Sequence, residues 1–494
     1  MRVLYADSYD SRKYTDENLL YKSRLIEPVE LNRSLVYLYG KDSDMFPLLN
    51  STVGQGFTKS MKPKLLNDTQ YVWNTFGRMK HTSPIVALRN TSNIKPGLNN
   101  QPFEVIMEDS WLIHQYGVTS PDQSHSCRVM SVGEQIATNQ HVYTLQLDGA
   151  DPTEYVSLDN FIAGRYWVMT IPTIAASKSD GNATNNMAPG KVTNQFGYNR
   201  FTQNIAGNIS NKVTPIEFPT EGGGKTNMWM PFEMMKFEED RMLYSEFDLW
   251  ESKYNRDAYG RVLLKDEKTG EPIPKGAGMR EQIDSVGNLD TYAAPVLSPA
   301  KIESVLNTIY ANRVDDTPME IVCYTGTGGR RALHNGMLAE AIANSYTNAL
   351  GDAMISGKNG YLQYGNYFNQ YRSIDGKTIS VTETNLFNHG LYAEQQRANG
   401  ELINGLPKES YNIVFVDQSR SSSDGDRNIM HVAEKGREYI TGIYKGMSPL
   451  PDVWGKIPQD KIISTPRDIA SYEVIQSQGI NMLNSTTSFW LKAE

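Results

Sequence analysis

TNMWMPFEMMKFEEDRMLYSEFDLWESKYNRD, residues 226–257, is the stretch from which the fold is read. Thr226 and Asn227 are residue types that cap helices, and Pro231 suits a first turn, where its missing N–H is no loss. Glu233 then places an acid near the positive end of the dipole. Met228, Phe232, Met235, Leu243, Phe247, Trp250 and Tyr254 recur at helical spacing, with one miss at Glu239. The reading predicts a helix over residues 231–254, ~36 Å long at ~1.5 Å per residue. Phe232, Met235, Leu243, Phe247, Trp250 and Tyr254 are its predicted core side, and Glu233, Glu238, Glu239, Asp240, Glu246 and Glu251 its outer face. A rod this long is either a core helix or a scaffold with neighbours laid across it.

Working outward, the chain has 494 residues, enough for two or three cored domains. Its net charge of −8 excludes bulk attraction to nucleic acid as the leading function. Cys127 and Cys323 are its only cysteines, so neither a disulfide framework nor a zinc cluster of cysteines is available. The start, MRVLYADSYDSRKY, lacks the apolar stretch of a signal peptide, and no apolar run reaches the ~18 residues of a membrane span. The expectation is a soluble, cytoplasmically made protein without membrane contact.

N-terminal to the predicted helix, residues 1–64 read as an extended polar arm. Residues 70–170 are rich in short aromatic and β-branched runs such as FEVIMEDSWLI and HVYTLQL, broken by turn residues, and predict a small sandwich or barrel. Residues 175–225 are polar and rich in Gly and Asn, and read as a long loop or hairpin. C-terminal to the helix, GRVLLKD-EKTG-EPIPKGAGM predicts a hairpin and residues 298–313 a helix. MEIVCYTGTGG followed by RRALHNGMLAEAIANSYTNAL predicts strand, turn and helix. KTISVTE and YNIVFVD, ending at Asp417, predict strands. The second half is therefore mixed α/β or α+β, with short strands after residue 440.

The residues give little chemistry. Gly326, Gly328 and Gly329 lie between strand and helix, where phosphates bind, with Arg330 and Arg331 beside them. The Lys-Ser/Thr ending of a P-loop is missing, so a tight turn is the preferred reading. Asp424-Gly-Asp426 lacks the distal glutamate of a calcium loop. No two of His81, His114, His125, His141, His334, His389 and His431 stand at i, i+4, and no Gly-x-Ser-x-Gly elbow occurs. No catalytic residue, cofactor site or metal site is assigned.

Charge is more informative. Residues 51–90 carry Lys59, Lys62, Lys64, Arg78, Lys80 and Arg89 against Asp68 alone. The helix stretch carries eight acids against four bases. Lys59, Lys62 and Lys64 of one subunit are therefore candidates to pair with Glu239 and Glu246 of another; the alternatives are solvated faces, or a basic strip turned to DNA.

The order of parts resembles the major capsid proteins of tailed phages with the Hong Kong 97-type fold, particularly those of crAss-like phages of Bacteroidetes. YVWNTFGRMKHTSPIV (71–86), KPGLNNQPFEVIMEDSW (95–111), YTLQLDGADPTEYVSLDNFIAGRYW (143–167), the long helix, GRVLLKDEKTGEPIPKGAGMREQID (260–284) and IVCYTGTGG (321–329) carry the resemblance. It implies an α+β fold, with an N-terminal arm (1–65), an inserted β-rich domain (66–176) and an extended loop (177–225), the last two labels being exchangeable. It further implies a peripheral (P) domain with its spine helix (226–290), an axial (A) domain (291–445) and a return to the P domain (446–494). Implied partners are copies of the chain in hexamers and pentamers, a portal protein, auxiliary or decoration proteins, and packaged double-stranded DNA held non-specifically. The implied location is the virion, after assembly in the bacterial cytoplasm. The competing readings are a secreted or surface β-rich binding protein and a nucleotide-dependent enzyme built on residues 321–345.

Overall fold

The structure is a computed structural model. It describes residues 48, 63–77, 80–131, 133–171, 173, 188–206, 213–219, 224–311, 319–343, 370–372, 378–419, 427–446 and 465–494. Lys59 and Lys62, and the Asp424-Gly-Asp426 turn, lie outside them. The chain forms two compact units, residues 73–192 and the remainder.

Among the described residues the first strands are β1 (Lys64–Leu66) and β2 (Gln70–Thr75). In the smaller unit β3 (Thr82–Leu88), β4 (Phe103–Met107), β5 (Gly117–Thr119), β6 (Ser126–Val129), β7 (Glu134–Ala137), β8 (Gln140–Leu147) and β9 (Tyr166–Met169) form one sheet, ordered β4-β3-β9-β5-β6-β8-β7. A further β4–β8 pairing closes the sheet into a barrel and leaves β7 as its appendage. Closure removes the exposed edges that so many short strands would otherwise present. Inward residues alternate along the strands: Phe103, Val105 and Met107 on β4, Tyr143, Leu145 and Leu147 on β8. Trp167 is fully buried, stacks at 5.7 Å on Phe161, and donates its indole N–H to the Asn160 carbonyl.

The larger unit resumes with β10 (Gly190–Gln195), β11 (Gly197–Ala206), β12 (Val213–Pro219) and β13 (Lys225–Met228), which runs directly into helix α1 (Trp229–Glu251). Then follow α2 (Met279–Asp284), β14 (Leu289–Tyr292), α3 (Pro299–Ala311), β15 (Ile321–Thr325), α4 (Thr327–Ala343), β16 (Gln370–Arg372), β17 (Thr378–Glu383), α5 (Asn385–His389) and α6 (Leu391–Asn399). The C-terminal part holds β18 (Leu402–Ile403), β19 (Leu406–Pro407), β20 (Ile413–Asp417), β21 (Ile429–Glu434), β22 (Ile440–Lys445), β23 (Ile469–Met482) and β24 (Phe489–Ala493). Two sheets organise the unit. One is mixed, ordered β14-β24-β20-β15-β17-β16. The other is built on β23, whose 14 residues carry β11 along one edge and β22 then β21 along the other. β1 adds to β21 in parallel.

The mixed sheet is buried on both faces, so its strands read as continuous apolar runs. Cys323, Ile413 and Phe415 face a core completed by Ile302, Leu306 and Ile309 of α3. Tyr324, Val414 and Val416 face a second core, shared with Leu249 and Trp250 of α1 and with Ile480 and Met482 of β23. The spine helix therefore packs against side chains of both sheets.

The structure corrects several expectations. Thr226 and Asn227 are in a strand, not at a helix cap, and α1 ends at Glu251, three residues short of Tyr254. Residues 190–206 are not a free loop, because β11 is hydrogen-bonded to β23 over its whole length. The compact β unit comprises residues 73–192. The 259–280 hairpin has only two isolated bridges, Arg256–Val262 and Lys265–Pro272, although its Asp266–Gly270 turn forms.

Candidate functional site: a polar seam along the spine helix

The buried face of α1 is polar where the apolar stripe was predicted to be. Arg241, Ser245, Glu246, Leu249 and Trp250 are buried. Met235, Leu243, Phe247 and Tyr254 are half-buried, and the side chain of Phe232 lies outside the described residues. Predicted and observed faces share Trp250 and Leu243, the latter half-buried against the same core. Phe247 points to one side, edge-to-face with Tyr392 at 4.9 Å.

β23 explains the rotation. Its sequence IASYEVIQSQGINM buries Gln476, Ser477 and Gln478. Arg241 donates to Gln476 Oε1 at 2.8 Å and to Glu238 at 2.7 Å. Gln476 donates to Ser245 Oγ at 2.5 Å and to Gln478 Oε1 at 2.9 Å. Gln478 donates to the Ser245 carbonyl at 3.2 Å and to Asp248 at 3.1 Å. Each buried amide finds a partner, which is the condition under which polar groups are tolerated inside. Such a seam also admits one register of strand on helix, since a slip would orphan several groups together.

Glu246 was expected on the outer acidic face, paired with a lysine of another subunit. It is instead fully buried, and its Oε1 accepts from the Leu48 amide and the Trp250 indole, both at 2.8 Å. Leu48 is itself fully buried in the core beside Trp250. Leu48 thus meets α1 inside one chain, through its apolar side chain and a carboxylate–amide bond. Glu239 is half-buried and pairs with Lys236 of its own helix at 2.6 Å. Lys64 is exposed on β1.

At the C-terminal end of the spine, Arg280 of α2 is buried between two carboxylates, Glu251 at 2.6 Å and Glu409 at 2.5 Å. Its guanidinium lies 4.9 Å from the Trp490 ring centroid, 5.1 Å from Phe387 and 5.8 Å from Trp250. Burial opposes the Arg280 charge, but the two glutamates outweigh it and hold the side chain protonated. Burial likewise pushes the Glu251 carboxyl up, against the pull of Arg280. This node ties α1, α2, α5, the 408–411 turn and β24 together. Sequence reading missed Arg280, Glu409 and Gln476. The one available cue was the spacing of Arg241, Ser245, Leu249 and Ser252, which marks a helix face without looking apolar.

The glycine turn before α4 is filled by its own chain. The Thr327 amide donates to Asn388 Oδ1 and the Gly328 amide to Ser410 Oγ, both at 2.9 Å. A Cβ on Gly328 would sit 2.7 Å from the Tyr411 ring. The amides a phosphate would use are therefore already bonded, and the glycines serve close packing. Arg330 pairs with Glu383 at 3.0 Å. Among the described residues no His/Cys/Asp/Glu group is placed to hold a metal, and no helix is long and apolar enough to cross a membrane.

A seam of this kind positions and locks; it offers no activated nucleophile or open cation site. Family comparison agrees with that character, because the model for the Crassvirus major capsid protein matches residues 8–494. The chain belongs to the Crassvirus major capsid protein family. It is a structural protein of the phage virion, and its fold is α+β as expected, with a long spine helix, a mixed-sheet domain, strands returning to the spine and an inserted β unit. Among solved structures, one from Mycobacterium phage Adephagia is 7% identical, covering 96% of this chain and 97% of that one at a TM-score of 0.33. One from Microbacterium phage Oxtober96 is 9% identical, covering 65% and 81% at 0.32. The capsid of Cyanophage P-SCSP1u is 8% identical, covering 65% and 80% at 0.28. No curated protein matches the chain.

Proposed function

We propose that this capsid protein self-assembles into hexamers and pentamers of an icosahedral phage head enclosing double-stranded DNA. The observation that carries the reading is the family match, which spans nearly the whole chain. In this reading assembly occurs in the bacterial cytoplasm. A portal protein occupies one vertex, auxiliary or decoration proteins bind the shell, and DNA is held without sequence preference. Residues 226–290 and 446–494 act as the P domain, and residues 291–445 as the A domain around the capsomer axis. The role is structural rather than enzymatic. Of the candidate pairs between subunits, Lys59, Lys62 and Lys64 with Glu239 stay in the proposal, and Glu246 leaves it because it is buried.

Size-exclusion chromatography and electron microscopy of the purified chain test the reading. Closed shells with five- and six-fold capsomers are expected. A protein that stays monomeric through a wide range of concentration and salt would contradict it. Saturable ATP binding, lost in Gly328→Val, would favour the enzyme reading.

A further inference from the structure

Leu48, Trp250 and Arg280 form one continuous line of contacts in the larger unit. Leu48 is fully buried in the same apolar cluster as Trp250 and Phe387. Its amide and the Trp250 indole donate to the same oxygen, Glu246 Oε1, each at 2.8 Å. Glu246 has no exposed surface, so its charge is held by protein donors rather than by bulk water. The Trp250 ring stands edge-to-face to Phe387 at 5.4 Å and to Tyr324 at 5.8 Å, and its centroid lies 5.8 Å from the Arg280 guanidinium.

Arg280 carries the line onward. Its two terminal nitrogens hold different elements: Nη1 bonds Glu251, the last residue of α1, and Nη2 bonds Glu409 of the 408–411 turn. Glu409 is tied again on its far side. Its amide donates to Gln396 Oε1 of α6 at 2.6 Å, and its Oε2 accepts from the Asn412 side chain at 2.7 Å. Asn412 Oδ1 in turn accepts from the Ala493 amide of β24 at 2.9 Å. An unbroken series of contacts therefore runs from Leu48 to β24.

The first link has two states. With Leu48 seated, its side chain keeps water from Glu246, and its amide fixes the carboxylate against the indole. With Leu48 withdrawn, a buried carboxylate loses a donor and its cover together, and it regains hydration by turning away from the indole. The Trp250 ring then leaves the position in which it backs Arg280, the one side chain that joins both carboxylates.

We propose that Leu48 is a conformational switch: seated, it locks the 408–411 turn to the end of α1, and withdrawn, it loosens that joint through Trp250 and Arg280. The switch stands on contacts within one chain, so it goes beyond the self-assembly reading and holds or fails whether or not shells form.

Hydrogen exchange of the full chain, read amide by amide, tests it. Leu48→Ala should speed exchange at the Glu409 and Asn412 amides about tenfold. Leu306 and Ile309 of α3, packed on the other face of the mixed sheet, should stay unchanged. Leu48→Val should give the same pattern in smaller measure, and serves if Leu48→Ala does not fold. Trp250→Phe keeps a ring but removes the N–H that reaches Glu246. It should speed exchange at Glu409 and Asn412 by itself, and Leu48→Ala should add nothing further on that background. Coupling of this kind is reciprocal. Arg280→Lys keeps the charge but cannot span two carboxylates, and should speed exchange at the Leu48 amide. A rise confined to α1, a rise shared equally by α3, or additive effects of Leu48→Ala and Trp250→Phe would each overturn the proposal. So would an unchanged Leu48 amide in Arg280→Lys.

Discussion

The barrel of residues 73–192 and the seam along α1 are both buried, but they are held by different means. The barrel core is mainly apolar: Ile85, Val105, Met107, Val118, Tyr143, Leu145 and Trp167 pack in it, with only Ser83, Ser120 and Asn160 as buried polar side chains among the described residues of that unit. The seam buries Arg241, Ser245, Glu246, Gln476, Gln478 and Arg280. Apolar packing tolerates shifts of shape and volume, whereas a satisfied polar network fails when one member is removed. A shell protein has a use for both, a barrel that folds by pattern and a spine fixed in one register on its sheet.

Removing a charge from the node should show the contrast most strongly. Arg280→Ala leaves Glu251 and Glu409 facing each other in the core, and should cost about 5 kcal/mol in chemical denaturation. Trp250→Ala follows, at about 4 kcal/mol for the lost aromatic and its bond to Glu246. Half-buried Phe247→Ala should cost about half as much, and equal losses would show that the two residues share one environment. Next is pH. Burial pushes the His431 imidazole down to about 4. The unfolded chain therefore binds the extra proton between pH 6.5 and 4. Stability is fully present above pH 6.5 and lost as pH falls, by about 3 kcal/mol in all. Urea unfolding from pH 7.5 to 4.5 should show this slope, and it should flatten in His431→Gln. Gln476→Leu should lose about 2 kcal/mol, since Arg241 and Ser245 each lose a buried partner.

Much of the architecture was legible in residue patterns. Alternation along FEVIM and HVYTLQL gave the barrel strands, and IVCYT followed by glycines gave a strand, turn and helix. The existence of α1 followed from its 3.6-residue recurrence. Its rotational phase did not, because polar groups of α1 are buried by partners far along the chain: Ser245 and Gln476 are separated by 231 positions. A stripe search scores Ser, Arg and Glu as outward, so it turned Glu246 to solvent. Leu48, which covers that carboxylate, is likewise 198 positions away. Pairing across such distances leaves no local mark.

Side-by-side melting of Glu239→Lys and Glu246→Lys tests the polar seam most directly, because the two positions looked alike in sequence. Glu239 is half-buried near solvent, and its reversal should change stability by no more than about 1 kcal/mol. Glu246→Lys places a buried cation against the Leu48 amide and the Trp250 indole, and should destabilise the larger unit by about 3–5 kcal/mol. Near-equal melting of the two variants would contradict the account, and would place Glu246 on the outer face.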